Sequence, residues 1–263
     1  MVNIRQAAVA GTFYPSNSEQ LNLMVKHYLN EVPQGIKTPK AIIVPHAGFI
    51  YSGSIAATAY ARLEPVKQII KQVVLVGPSH RVSFQGLALS TADQFMTPLG
   101  QVSINKKAVQ QLAEIHFVNY LDHAHELEHS LEVHLPFLQT VLQEFSLIPV
   151  VVGDATADQV CQVIELFWGQ KDTLIVISSD LSHFHDYQTA MKLDQNTSEV
   201  IEELECEKLK RDAACGQVAI VGLMALARVK GLQIKTIDLR NSGDTAGSEN
   251  MNSVVGYGAY VVE

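Results

Sequence analysis

Four short apolar runs constrain this chain more than any other feature: Ala41–Val44, Val73–Val76, Leu147–Val152 and Leu174–Ile177. Each is rich in Val and Ile and none alternates with polar residues, the pattern of strands buried on both faces. Helical patterns lie between them. Asn17 or Ser18 can cap a helix reaching about Glu31, with Leu21, Met24, Val25 and Tyr28 on one side. A small-residue helix is expected from about Ser54 to Leu63, and Thr156 can cap another ending near Trp168-Gly169. Tyr187–Leu209 reads as a long exposed helix, and Val218–Lys230 as a buried one stopped by Gly231. Shorter strands are expected at Leu87–Ser90, Val102–Ile104, Ile234–Leu239 and Ser253–Val262. This alternation predicts an α/β/α layered domain with a central, mostly parallel mixed sheet whose edge strands run antiparallel. No repeat or long linker divides the 263 residues, so one domain over 1–263 is expected.

Charge narrows the function classes. The formal net charge is −8, from 27 acidic and 19 basic residues, which argues against binding a nucleic-acid backbone. From Ala108 to Gln170 there are nine acids and five histidines but no Lys or Arg. Such a block reads either as a solvated acidic face or as a wall whose field attracts cations. No apolar run approaches the roughly 18 residues that a membrane span needs. The start, Met1-Val2-Asn3-Ile4-Arg5-Gln6, lacks the layout of a signal peptide. Cys161, Cys206 and Cys215 form no CxxC pair, and thiols in a reducing cytoplasm are expected.

Three of the four buried runs end in chemistry-bearing loops. Val44 is followed by Pro45-His46-Ala47-Gly48, Val76 by Gly77-Pro78-Ser79-His80, and Ile177 by Ser178-Ser179-Asp180-Leu181-Ser182-His183. Ligands of parallel α/β sheets bind at the carboxyl ends of strands, so these loops can converge. Histidine, carboxylate and thiolate are ligands of zinc, iron and copper. Cys215, just before a buried helix, is the best thiolate candidate, since a helix N-terminus lowers a thiol pKa. Cys161 reads as core, and Cys206, among Glu203, Glu205 and Glu207, as inert.

Competing motifs are weaker. His125-Glu126-Leu127-Glu128-His129 matches H-E-x-x-H, but the polar stretch before it gives no amphipathic lead-in for the required helix. Glu128–Phe137 reads instead as the opening of a helix ending near Phe145, with polar groups that could line a site. No P-loop, dinucleotide fingerprint or nucleophile elbow is present. Serine catalysis by Ser79-His80 or Ser182-His183 is disfavoured, because sequence neighbours rarely face each other.

As a set, the motifs resemble the Memo family, called AmmeMemoRadiSam system protein B in bacteria and archaea. They comprise Arg5, Ala10–Pro15, Pro45–Gly53, Gly77–His80, Glu128–Pro136, Ser178–His183 and Cys215-Gly216. The resemblance implies a fold like that of the LigB-type class III extradiol dioxygenases. It also implies a cavity lined by His46, His80 and Cys215 as metal ligands, with Asp180 and His183 nearby. Fe(II) is the first expectation for the metal, with copper or zinc next. On this reading His183 is the general acid/base and Asp180 orients it or a bound water, while His129, Glu132 and Ser79 line the cavity. Ser182 stands where a family relative carries cysteine. A thiolate in place of the dioxygenase glutamate is a large chemical change, so ring cleavage does not follow from the fold.

The resemblance leaves two other functions open. Vertebrate members are associated with peptide binding and signalling, which implies a non-catalytic binding or scaffold module with a small-molecule or peptide ligand. The operon-style name implies a modification pathway with radical SAM and AMMECR1-domain partner proteins.

Overall fold

The structure is a computed structural model and describes residues 2–32, 38–246 and 251–263. A small sheet joins β1 (Ile4–Arg5), β5 (Gln94–Thr97) and β6 (Gly100–Ser103). The large mixed sheet runs β10 (His183–His185), β12 (Val254–Val262), β2 (Ala41–Val44), β9 (Thr173–Ser178), β3 (Gln72–Pro78), β8 (Ser146–Val152), β4 (Leu87–Leu89), β7 (Val118–Tyr120), with β11 (Ile234–Asn241) also paired to β12. Every residue of β2 and β9 is buried. Successive side chains of a strand point to opposite faces, so both faces of these strands are covered.

Helices α1 (Ser18–Asn30), α2 (Phe49–Tyr60) and α5 (Leu135–Val141) pack together, with α2 also on β2, β11 and β12. Helices α6 (Ala157–Trp168) and α8 (Gln217–Lys230) pack on each other and on β9, and α7 (Tyr187–Glu202) covers β11 and β12. Among the described residues the remaining α-helices are α3 (Lys106–Ala113), α4 (Asp122–Glu126) and α9 (Ser242–Thr245). Among the described residues no helix is long and apolar enough to cross a membrane. Asn17 caps α1 through Gln20, and Thr156 forms a full capping box with Gln159, as the sequence predicts.

Several boundaries differ from expectation, each for a local reason. Helix α2 starts at Phe49 rather than Ser54, because Gly48 caps it and the Phe49 amide donates to the Phe13 carbonyl. Helix α7 stops at Glu202 rather than running to Leu209. Leu204 takes a left-handed φ of 55°, while the Leu204 and Glu205 amides donate to the Ile201 and Val200 carbonyls, closing a Schellman turn. The helix expected from Glu128 is only a 3-10 turn at Glu132–His134 followed by α5, with Pro136 in its first turn. Antiparallel pairing is not confined to sheet edges, since β12 lies inside the sheet, antiparallel to both β2 and β11.

The arrangement that matters for function is β2-β9-β3. The three strands are adjacent and mutually parallel, with Val44 beside Ser178 and Val76 beside Ile177. Their carboxyl ends are therefore level, and the loops carrying His46, Asp180 and His80 emerge side by side.

Candidate metal centre

His46 is fully fixed. Its backbone amide donates to Asp180 Oδ1 at 2.7 Å, its Nδ1 lies 2.6 Å from Ser178 Oγ, and its Nε2 lies 3.2 Å from Cys215 Sγ. The Ser178 hydroxyl donates to the Ser130 carbonyl at 2.6 Å and lies 2.8 Å from His134 Nε2. A hydroxyl has one proton. With that proton on Ser130, Ser178 Oγ can only accept from the two imidazoles. His46 therefore carries its proton on Nδ1, and its Nε2 lone pair faces Cys215. His134 carries its proton on Nε2 and accepts at Nδ1 from the Tyr60 hydroxyl, 3.0 Å away. Burial keeps both rings neutral, holding His46 well below the ordinary histidine range and His134 at about 3.

Glu128 does the same for His80. Its carboxylate accepts from the His80 amide at 2.6 Å, from His80 Nδ1 at 2.8 Å, and from the His129 and Ser130 amides at 2.9 Å each. Burial would raise this carboxyl, but the His80 contacts and the backbone donors outweigh it and hold it at about 2. An anionic acceptor at Nδ1 leaves the His80 Nε2 lone pair free, the carboxylate–histidine arrangement found behind metal-ligating imidazoles.

Cys215 enters from the loop before α8. Gly216 allows this approach, since a Cβ there would sit 2.5 Å from the Ser178 carbonyl oxygen. The Asp180 amide donates to Cys215 Sγ at 3.2 Å. The helix start does not depress this thiol as the sequence suggested. Burial, followed by the Asp180 charge, pushes it up to about 12, so without a metal it is protonated and can donate to His46 Nε2. A bound cation reverses that balance by displacing the proton.

The donor set fits a metal ion. One ligand atom from each of His46, His80 and Cys215 lies within 4.8 Å of the others. His80, Glu128 and His129 form a second such group. There, however, Glu128 is already taken up by four donors. His129 stacks on His80 at 4.5 Å and faces His46 edge-on at 5.5 Å. Its Nδ1 is 3.4 Å from Glu128 Oε1 and makes no hydrogen bond, leaving a buried polar atom unpartnered beside the cluster.

The other predicted residues fall as follows. His183 is half-buried, and burial lowers its imidazole against a hydrogen bond to the Leu181 carbonyl. Asp180 does not orient His183. It holds the His46 amide instead, and burial pushes its carboxyl up to about 7. Ser79 lines a cavity of about 460 Å³ beside His80 and Cys215, and its hydroxyl donates to the Val82 carbonyl at 2.6 Å. Glu132 does not line the cavity. It is completely buried, where it pairs with Arg5 and accepts from Tyr14 and from the Ala8 and Val9 amides.

H-E-x-x-H is not a metal motif here. Helix α4 ends at Glu126, before His129, and His125 Nε2 donates to the Ala88 carbonyl at 3.0 Å. The short helix at Asp122–Glu126 forms without the amphipathic lead-in that its sequence lacks. Nor is the acidic block simply a solvated face or a cation-attracting wall, since Glu128 and Glu132 are buried anchors. Cys161 lies partly buried in α6, and Cys206 is raised by burial first, with Glu207 adding to it. Glu128, Ser178 and His134 carry the support of the cluster, roles that the sequence did not assign. The dense polar groups of 128–134 were the available signal.

The fold and cluster thus define an α/β protein with a two-histidine, one-cysteine constellation at the carboxyl ends of parallel strands. A family model described as "Memo-like protein" matches residues 5–261. A MEMO1 family protein of Aquifex aeolicus is 38% identical over 97% of this chain and 98% of its own length. Relatives in Thermoplasma acidophilum (32%, 98% of each chain) and Archaeoglobus fulgidus (31%, 98% and 99%) carry the same family name. The chain belongs to the Memo family.

Proposed function

We propose that this chain is a non-haem metal protein, an oxidoreductase related to the class III extradiol dioxygenases, with His46, His80 and Cys215 as the ligands. Iron is the first candidate, with copper and zinc next. The carrying observation is that two independent supports, Ser178 behind His46 and Glu128 behind His80, take up the Nδ1 of each ring and leave both Nε2 lone pairs free, in a group whose ligand atoms, with Cys215, lie within 4.8 Å of one another. Such a metal, when bound, supplies Lewis acidity and, for iron or copper, electron transfer.

The chain's own residues prepare the site for it. Ser178 and Glu128 fix the two tautomers, and Asp180 fixes the His46 backbone. The acid/base role falls to His183, whose imidazole burial shifts toward the neutral, proton-accepting form. Thiolate in place of carboxylate softens the ligand set, so the substrate and the bond broken are not carried over from ring-cleaving enzymes.

Elemental analysis of protein purified without oxygen or chelator tests the reading, alongside His46→Ala, His80→Ala and Cys215→Ala. Stoichiometric iron or copper in the native chain, lost in all three variants with circular dichroism unchanged, is the expected result. Full metal retention in both histidine variants overturns the ligand assignment. No uptake of Fe(II), Cu(I) or Zn(II) by the native chain favours a binding module instead.

Ser178→Ala should weaken metal binding about 10–100-fold, the usual cost of losing the partner behind a ligating imidazole. Competition against a chelator reads this out. An affinity within a factor of two of the native value would remove Ser178 from that role.

A further inference from the structure

The loop that carries Asp180 and His183 is held by residues outside the cluster. It leaves the large sheet after Ser179, whose amide still donates to the Val44 carbonyl at 2.9 Å. Its next fixed points are Leu181 and Ser182. The Leu181 amide donates to the Gly256 carbonyl, and the Gly256 amide donates to the Ser182 carbonyl, each at 2.8 Å. The Ser182 amide donates to Asp194 Oδ1 at 3.0 Å. Asp194 projects from the middle of α7 and is buried. Burial raises its carboxyl, and the Ser182 amide opposes that shift.

Gly256 leaves the room that this carboxylate fills. A Cβ there would overlap it, 2.5 Å from Asp194 Cγ. The strand register sorts the neighbouring side chains onto two faces. The Tyr260 hydroxyl of β12 lies 2.8 Å from Ser198 Oγ of α7, and Gly256, four residues earlier, shares that face. Val254 shares it too, while Val255 points the other way. Strand β10 pairs His183 with Val255 and His185 with Val254, and Phe184, at a left-handed φ of 62°, is the extra residue of the bulge between them. A regular strand would put both histidines on one face. Here His185 falls on the α7 side, where its charge is felt at Asp194, and His183 falls on the side of His46 and His80.

What the clamp holds matters because Asp180 joins two cluster residues. Its Oδ1 accepts from the His46 amide, its own amide donates to Cys215 Sγ, and its carbonyl accepts from the Cys215 amide at 3.3 Å. Asp180 and His183 directly flank the two clamped residues. Without Asp194 the Ser182 amide is a buried donor with no acceptor, and the loop relieves that penalty by opening toward water. Such opening shifts Asp180 and loosens its contacts with Cys215.

From this we infer that Asp194, seated against Gly256, is a positioning residue of the cluster. Acting through the Ser182 amide, it sets the Asp180 bridge between His46 and Cys215 and the placement of His183. This rests on the proposed function only in treating the cluster as a metal centre; the hold on the loop needs its own hydrogen bonds alone.

Alkylation of chelator-treated protein by iodoacetamide, resolved by site with mass spectrometry, reads the loop at Cys215. Cys161 and Cys206 are internal references, and Cys206, just beyond α7, reports any general loosening of that helix. Asp194→Ala should speed alkylation of Cys215 about tenfold and leave the other two thiols within about twofold, as a local opening does. Asp194→Asn keeps the acceptor and should react at the native rate. In the double variant Asp194→Ala/Gly256→Ala the added methyl fills the vacated space, so packing is restored while the Ser182 amide stays without an acceptor. The same acceleration at Cys215 is expected there. In metal-loaded protein, chelator competition should show a loss of about tenfold in affinity for Asp194→Ala and none for Asp194→Asn. Native reactivity of Cys215 in both Asp194→Ala and the double variant, equal acceleration at all three cysteines, or Asp194→Asn reacting as fast as Asp194→Ala overturns the inference. A chain that takes up no metal yet shows the acceleration confined to Cys215 would sink the metal reading and keep this one. A metal-loaded chain whose Cys215 is indifferent to Asp194 would do the reverse.

Discussion

Glu132→Ala is expected to cost about 3–5 kcal/mol of folding stability, the penalty for stripping one partner from a buried ion pair. Glu132 is fully buried and meets the Arg5 guanidinium, the Tyr14 hydroxyl and the Ala8 and Val9 amides. Removing it strips the charge partner from a buried cation and the acceptor from the Tyr14 hydroxyl and the Val9 amide, both buried, and from the part-buried Ala8 amide. Arg5 also donates to the His125 carbonyl at 3.0 Å and the Glu128 carbonyl at 2.7 Å, so the loss reaches the turn that carries Glu128. For a chain of this size the melting temperature should fall by roughly 10 °C. Thermal or urea unfolding measures it, and a loss under about 1 kcal/mol would show that Glu132 is not the anchor described above.

The second large effect is acid lability of the metal-free protein. His134 is held at about 3, and His125 and His129 at about 4, chiefly by burial, against about 6.5 in an unfolded chain. Between those values the unfolded state binds more protons, so stability is lost as pH falls from 6.5 toward 4. Glu128, held at about 2, adds a loss as pH falls below its ordinary value near 4.5. Asp180 opposes them. Its carboxyl is raised to about 7, so the folded state takes up the proton first and gains stability over the same interval. The histidines outnumber it, and the net loss between pH 7 and pH 4 is on the order of 5 kcal/mol. Urea midpoints measured across that range on chelator-treated protein check the sign. A midpoint that holds steady or rises toward pH 4 would mean these rings are not buried in the neutral form.

Much of the architecture could be read from local pattern. The runs at 41–44, 73–76, 147–152 and 174–177 all became buried strands of the large sheet, because burial on both faces leaves no polar alternation. The caps at Asn17 and Thr156 were legible for a similar reason, since a cap is satisfied within three residues of itself. Where partners were distant, local pattern misled. The Glu128–Phe137 stretch reads as a helix, yet Glu128 is turned toward His80, 48 residues away, and Glu132 toward Arg5, 127 residues away. The Cys215 thiol reads as activated by a helix start, yet desolvation from packing, followed by the charge of Asp180, dominates it.

The sequence by itself determined the layered α/β class, the Memo family, and the residue types at the strand ends. These follow from hydrophobic period, from capping chemistry and from motifs contiguous in the chain. The tertiary structure alone decided which nitrogen of each histidine faces the cluster, that Glu132 anchors the N-terminal segment, and that Asp180 holds a backbone amide. Those properties depend on hydrogen-bond partners and on exclusion of water. Both arise only when strands far apart in sequence are brought level in one sheet.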